Sequence, residues 1–131
     1  MPMENNQKRS PLYKSFGYAF EGIFNTIKDE RNIKIHLIVT TLVIIFGFIL
    51  KISLTEWFVC ILLFAIIIPL ELVNTAIEAV VDLASSEYAL LAKKAKDAAA
   101  GAVLVAAILS AVIGSIIFFP KLYYFIIGLF N

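Results

Sequence analysis

The chain has 131 residues, 61% of them hydrophobic and 16% charged, with a mean hydropathy of +0.92. That balance excludes an ordinary soluble domain and marks an integral membrane protein. The formal net charge of +1 gives no electrostatic footprint for nucleic acid, and the lone Cys60 has no intrachain disulfide partner.

Residues 1–10 are polar and hold no apolar segment of the kind a secretory signal needs. Pro11 suits a helix start, with Ser10 as a cap. Over about 11–28, Leu12, Phe16, Tyr18, Ala19, Phe20, Ile23, Phe24 and Ile27 recur at helical spacing, with Lys14, Glu21, Asn25 and Lys28 among them. The pattern predicts an amphipathic helix lying on the membrane surface. Gly17 and Gly22 have the spacing of a phosphate loop's glycines, but no Gly-Lys-Ser/Thr follows, so that motif is excluded. Lys28 to Asn32 reads as a polar break.

A first membrane span is predicted over about 33–50, with Lys34 and His36 in its first turn. His36 is the only histidine, and no ligating partner stands near it in sequence. An interfacial helix-end residue is the commoner role for such a side chain than a metal ligand. Lys51 to Glu56 reads as a loop and Trp57 as an interfacial anchor. The second helix is predicted over about 55–83. At 1.5 Å per residue it is roughly 40 Å long, so one end should project into water. Pro69 is expected to kink it.

Residues 84–97 are polar. The third span is predicted over about 98–119, ending at Pro120. Ala98, Ala102, Ala106, Ser110 and Gly114 form a ladder of small residues every four positions, which suits close helix packing in lipid. Lys121 to Asn131 is an aromatic, apolar tail. The expected fold is therefore an all-α membrane protein, residues 1–131 forming one domain with three transmembrane helices and a surface helix. Six Lys and Arg lie between Lys8 and Lys34 and three between Lys93 and Lys96, against one each at Lys51 and Lys121. That bias predicts a cytoplasmic N-terminus and 84–97 loop, with the C-terminus outside.

Glu71, Asn74, Thr75, Glu78 and Asp82 share one stripe of the second helix. Ionisable groups at membrane depth are costly and mark a site. Counted from Trp57, Glu71 lies roughly 21 Å along the helix and Glu78 roughly 31 Å, which sets Glu78 near the inner interface and Glu71 deeper. Glu30, Lys96 and Asp97 reach the same inner level. Oxygen ligands of this kind suit Mg²⁺, lysines suit phosphates, and a deeper carboxylate suits a base for a lipid alcohol. The stripe thus permits phosphoryl transfer to a lipid. Polar stripes also serve helix association, proton relay and cation passage, so pattern alone leaves transport and assembly open. Three spans shield the stripe poorly, and an oligomer is expected under each reading.

Glu71-Leu-Val-Asn-Thr-Ala-Ile-Glu-Ala-Val-Val-Asp82, with Ala95-Lys-Asp-Ala-Ala-Ala-Gly-Ala-Val-Leu104, closely resembles the small bacterial diacylglycerol kinase family. The resemblance covers nearly the whole chain, from Phe16 to Pro120, and its central motif is long and ungapped. It implies a membrane lipid kinase of the cell membrane: a homotrimer of three-span chains with active sites shared between subunits, using ATP and Mg²⁺. Glu30-Arg31-Asn32 with Ile35-His36 looks like the Gram-positive branch, whose members prefer undecaprenol to diacylglycerol. Undecaprenol is therefore the acceptor implied, with diacylglycerol as the alternative.

By motif match, Glu71 takes the general base position and contacts the substrate hydroxyl, and Asn74 is the amide beside it. Glu30 and Glu78 take the metal positions and also contact the nucleotide. Tyr18, Glu87, Tyr88, Lys96 and Asp97 take nucleotide positions. Two departures stand out. Ala89 occupies a position that is often histidine in the family, and Pro11 one that is often arginine.

Overall fold

A computed structural model describes residues 11–85 and 89–130 of the chain, and these form four helices. They are α1 (Leu12–Asp29), α2 (Arg31–Ile49), α3 (Leu54–Ala84) and α4 (Leu90–Phe130). The last three are each long and apolar enough to cross a membrane. Ser10, the expected cap of α1, lies outside the described residues, and Pro11 occupies the N-cap position itself.

α1 buries no residue. Its apolar side chains, among them Leu12, Phe16, Phe20 and Phe24, stay exposed along one face. A helix with an unpacked apolar stripe and a charged opposite face is suited to the bilayer interface. The polar break that follows is narrower than its composition suggests. Only Glu30 leaves the helical conformation (φ −94°, ψ 125°), and its N–H donates to the Thr26 carbonyl at 2.9 Å. Lys34 Nζ donates to the Lys28 carbonyl at 2.6 Å. One of the carbonyls orphaned at the end of α1 thus gains a cationic donor from the next helix. α2 therefore starts at Arg31, two residues before the apolar run begins.

The α2–α3 turn is a Schellman motif. Ile52 N–H donates to the Gly47 carbonyl at 3.1 Å and Lys51 N–H to the Phe48 carbonyl at 3.3 Å. Lys51 holds the left-handed position with φ 50°, where glycine is the usual residue. Ile52 is buried and completes the motif's hydrophobic contact over Gly47. A Cβ at Gly47 would come within 2.7 Å of the Trp57 ring, which itself packs on Phe48 at a centroid distance of 5.0 Å. Trp57 is thus held against α2. Because a non-glycine residue in the left-handed region is strained, Lys51→Gly is expected to stabilise the protein by about 0.5–1 kcal/mol. Thermal unfolding in mild detergent checks this, and a lowered midpoint would contradict it.

α3 opens with a capping box. Ser53 Oγ accepts from Glu56 N–H at 3.3 Å, and Ser53 N–H donates to Glu56 Oε2 at 2.6 Å. The same Glu56 oxygen meets Lys121 Nζ of α4 at 3.2 Å. α3 stays helical through Pro69, and α4 through Pro120. The second continuation corrects the expected end of the third span. Proline removes one donor, leaving the carbonyl four residues earlier without its usual partner. Unwinding residues 121–130 in an apolar surrounding would leave many more groups unpaired, so the helix persists. α4 likewise begins eight residues earlier than its apolar run, at Leu90. Two hydroxyls within these helices bond back to their own turn: Thr41 Oγ1 donates to the Leu37 carbonyl and Ser115 Oγ to that of Ala111.

α3 is the central helix. It packs closely against α4 and more loosely against α2, while α2 and α4 hardly touch. A cavity of about 500 Å³ lies between the three, lined almost wholly by apolar side chains from Ile35 to Phe46 on α2, Leu50 just past its end, Cys60 to Ile67 on α3 and Ala107 to Leu122 on α4. Ser110 and Gly114 of the small-residue ladder border this space, and a Cβ at Gly114 would meet nothing within 4 Å. Within the chain, the Ser110–Gly114 end of the ladder therefore opens a cavity and does not close a tight helix crossing.

Candidate functional site

The interior face of α3 carries the site. Its buried residues are Cys60, Ile67, Glu71 and Asn74. At 100° per residue these four fall within about 60° of one another, and Glu78 and Asp82 continue the same face. One face thus changes from apolar to polar at Glu71; Glu71 and Asn74 are buried in the helix assembly, Glu78 is half-buried and Asp82 is exposed. The apolar half borders the cavity as far as Ile67. Glu71 is one helical turn further on.

Glu71 is 2% exposed and Asn74 7%. Asn74 Nδ2 donates to Glu78 Oε1 at 3.2 Å, and Thr75 Oγ1 donates to the Glu71 backbone carbonyl at 3.1 Å. Glu71 Oε2 and Asn74 Oδ1 are buried with no hydrogen-bond partner. Leaving such an atom unpaired costs about 1–3 kcal/mol. Two adjacent unpaired acceptors on one turn are what a site for a donor-bearing or cationic ligand requires. A carboxylate here can accept a proton, and an amide oxygen can accept a hydrogen bond.

The remaining expected residues are spread around this centre. Glu78 and Glu30 are both half-buried, but no hydrogen bond or ion pair among the described residues joins them. No group of three or more metal-ligating side chains occurs among the described residues. A divalent ion at this face would therefore draw most of its ligands from water and from phosphate oxygens, as Mg²⁺ commonly does. The carboxylates present are hard oxygen donors and fit such an ion. Tyr18 is exposed on α1, on the side away from that helix's apolar stripe. Glu87 and Tyr88 lie outside the described residues.

Lys96 and Asp97 do not act as a pair. Lys96 Nζ meets Asp82 Oδ1 at 2.9 Å across the α3–α4 hairpin, whereas Asp97 pairs with Lys93 one turn away on its own helix. Asp82, Lys93, Lys96 and Asp97 border a second cavity of about 340 Å³ where α3 ends and α4 begins, and Ala89 lines it too. Sequence reasoning counts Asp82 on the stripe without a partner. The signal that could have supplied one is the short 85–89 connection, which forces an antiparallel hairpin and brings the ends of α3 and α4 side by side.

Comparison with known proteins adds an independent line. A family model described as prokaryotic diacylglycerol kinase matches residues 17–118. The chain is 46% identical over 123 residues to an undecaprenol kinase of Bacillus subtilis (strain 168), covering 92% of this chain and 100% of that protein. It is 39% identical over 124 residues to a diacylglycerol kinase of Synechocystis, covering 92% of this chain and 71% of that one. A diacylglycerol kinase of Helicobacter pylori (strain J99) is 32% identical over 94 residues, 72% of this chain and 73% of that protein.

Proposed function

This chain belongs to the prokaryotic diacylglycerol kinase family and is a membrane lipid kinase, and from that premise we propose that it phosphorylates undecaprenol with ATP. The observation that carries the chemistry is the buried, unpartnered Glu71 carboxylate where the α3 face turns from apolar to polar. The 46% identity to an undecaprenol kinase over that protein's full length favours the polyprenyl alcohol as acceptor.

Glu71 takes the proton of the lipid hydroxyl. The hydroxyl oxygen bonds to the terminal phosphorus of ATP, the bond from that phosphorus to the bridging oxygen breaks, and ADP leaves. Asn74 supports the reaction from the next turn and holds Glu78 through its amide. The apolar cavity that ends one turn short of Glu71 suits the hydrocarbon adjoining the hydroxyl. Lys96 meets the phosphates, and Asp97, Tyr18, Glu87 and Tyr88 serve the nucleotide as the family resemblance implies. Glu30 and Glu78 would hold Mg²⁺, which neutralises phosphate charge when bound. The family resemblance implies that the working unit is a homotrimer with sites shared between subunits. The charge bias supports a cytoplasmic N-terminus and 84–97 loop, with the C-terminus outside.

A diacylglycerol kinase is the second reading, favoured by the names of the Synechocystis and Helicobacter pylori relatives. Transfer from labelled ATP to undecaprenol and to diacylglycerol, each in mixed micelles with Mg²⁺, separates the two. The expected result is a higher kcat/KM for undecaprenol. A reversed preference would favour the second reading, and transfer to neither alcohol would contradict both.

A further inference from the structure

Asp82 has no part in the mechanism above, yet it lies on the same α3 face as Glu71 and Glu78, one turn beyond Glu78. Its Oδ1 accepts from Lys96 Nζ at 2.9 Å. Of the two ion pairs at this end of the hairpin, Lys93–Asp97 stays within one turn of α4, while Lys96–Asp82 links α4 to the face that carries the site. Both side chains of that link keep solvent access, 39% for Lys96 and 66% for Asp82. Such a pair contributes little to stability. Its consequence is directional. A lysine has a flexible four-carbon stem, and its free ammonium samples many positions. An ammonium also has three N–H donors. One given to Asp82 fixes the stem across the hairpin and leaves two for other acceptors.

We propose that Asp82 is a positioning residue: it holds the Lys96 ammonium on the polar half of the α3 face, ready for the nucleotide phosphates. This rests on the reading of Lys96 as a phosphate-binding residue. Asp82 itself touches neither substrate, and the carboxylate acts only through the lysine.

The test is a double-mutant cycle on the full chain in mixed micelles, with KM for MgATP, KM for the lipid and kcat measured for each variant. Asp82→Asn keeps the shape but loses the charge. It is expected to raise the KM for MgATP by about 3- to 10-fold, with the lipid KM unchanged. Asp82→Glu, which keeps the carboxylate, should recover most of that loss. In a Lys96→Ala background Asp82→Asn should add nothing further. A merely structural role would cost the same in both backgrounds and would overturn the proposal. So would a normal MgATP KM in Asp82→Asn alongside a raised one in Lys96→Ala. If Lys96→Ala itself left the MgATP KM unchanged, the phosphate role of Lys96 would fall and the proposal with it.

Discussion

Glu71→Gln is expected to lower turnover with the lipid alcohol by about 10²–10⁴-fold, the usual cost of losing a general base, while ATP still binds. The side chain is 2% exposed and its Oε2 has no partner, so the atom is available to an incoming hydroxyl and to nothing else nearby. Glutamine keeps the volume and one acceptor but cannot take up a proton at neutral pH. It also buries an amide N–H₂ in place of an acceptor. That adds an unpaired donor worth about 1–3 kcal/mol if no oxygen turns to meet it, and thermal unfolding should be measured alongside. ATP affinity should hold because the phosphates rely on Lys96 and the metal carboxylates rather than on Glu71. Glu71→Asp keeps the base but withdraws it by one methylene, and should sit between the two. Turnover and equilibrium nucleotide binding are to be measured on the same preparations. Near-normal turnover in Glu71→Gln would remove the base assignment. A joint fall in turnover and ATP affinity would make Glu71 a structural or metal-binding residue.

Glu78→Gln is expected to raise the Mg²⁺ concentration needed for half-maximal rate, and to depress turnover, each by about 10- to 100-fold. A neutral amide is a poor ligand for a hard cation. The substitution is conservative toward the protein itself. Asn74 Nδ2 donates to Glu78 Oε1 at 3.2 Å, and a glutamine oxygen can still accept that bond, though more weakly than a carboxylate. The loss therefore falls on the cation rather than on the fold. Glu30→Gln should behave alike, although Glu30 stands at the α1–α2 junction and not on α3. The readout is initial rate against Mg²⁺ at saturating ATP. An ordinary Mg²⁺ requirement in both variants would take the two glutamates out of the metal site. Glu71→Gln serves as the contrast, since it should lose rate with its Mg²⁺ requirement intact.

The sequence by itself determined the class of fold, the three long helices, the surface helix and the polar stripe. The reason is physical. In a membrane a helix satisfies its own backbone, so apolar run length and the 3.6-residue period report it without knowledge of neighbours. The stripe of Glu71, Asn74, Glu78 and Asp82 is legible on the same grounds, and the uninterrupted motif around it carries the family resemblance. Local signals misled where helix continuation depends on the surroundings. Pro120 looks like an end and is not one, because the alternative exposes more backbone than a single missing donor does. Only the tertiary structure decided which way the stripe faces. Periodicity sets Glu71 and Asn74 on one side of α3, but their burial depends on the helices packed around α3. The same holds for Lys96. Sequence adjacency couples it to Asp97, whereas the hairpin delivers it to Asp82, fourteen residues away. The small-residue ladder shows the limit most plainly: Ser110 and Gly114 permit close approach, but the spacing of the neighbouring helices turns that permission into a cavity.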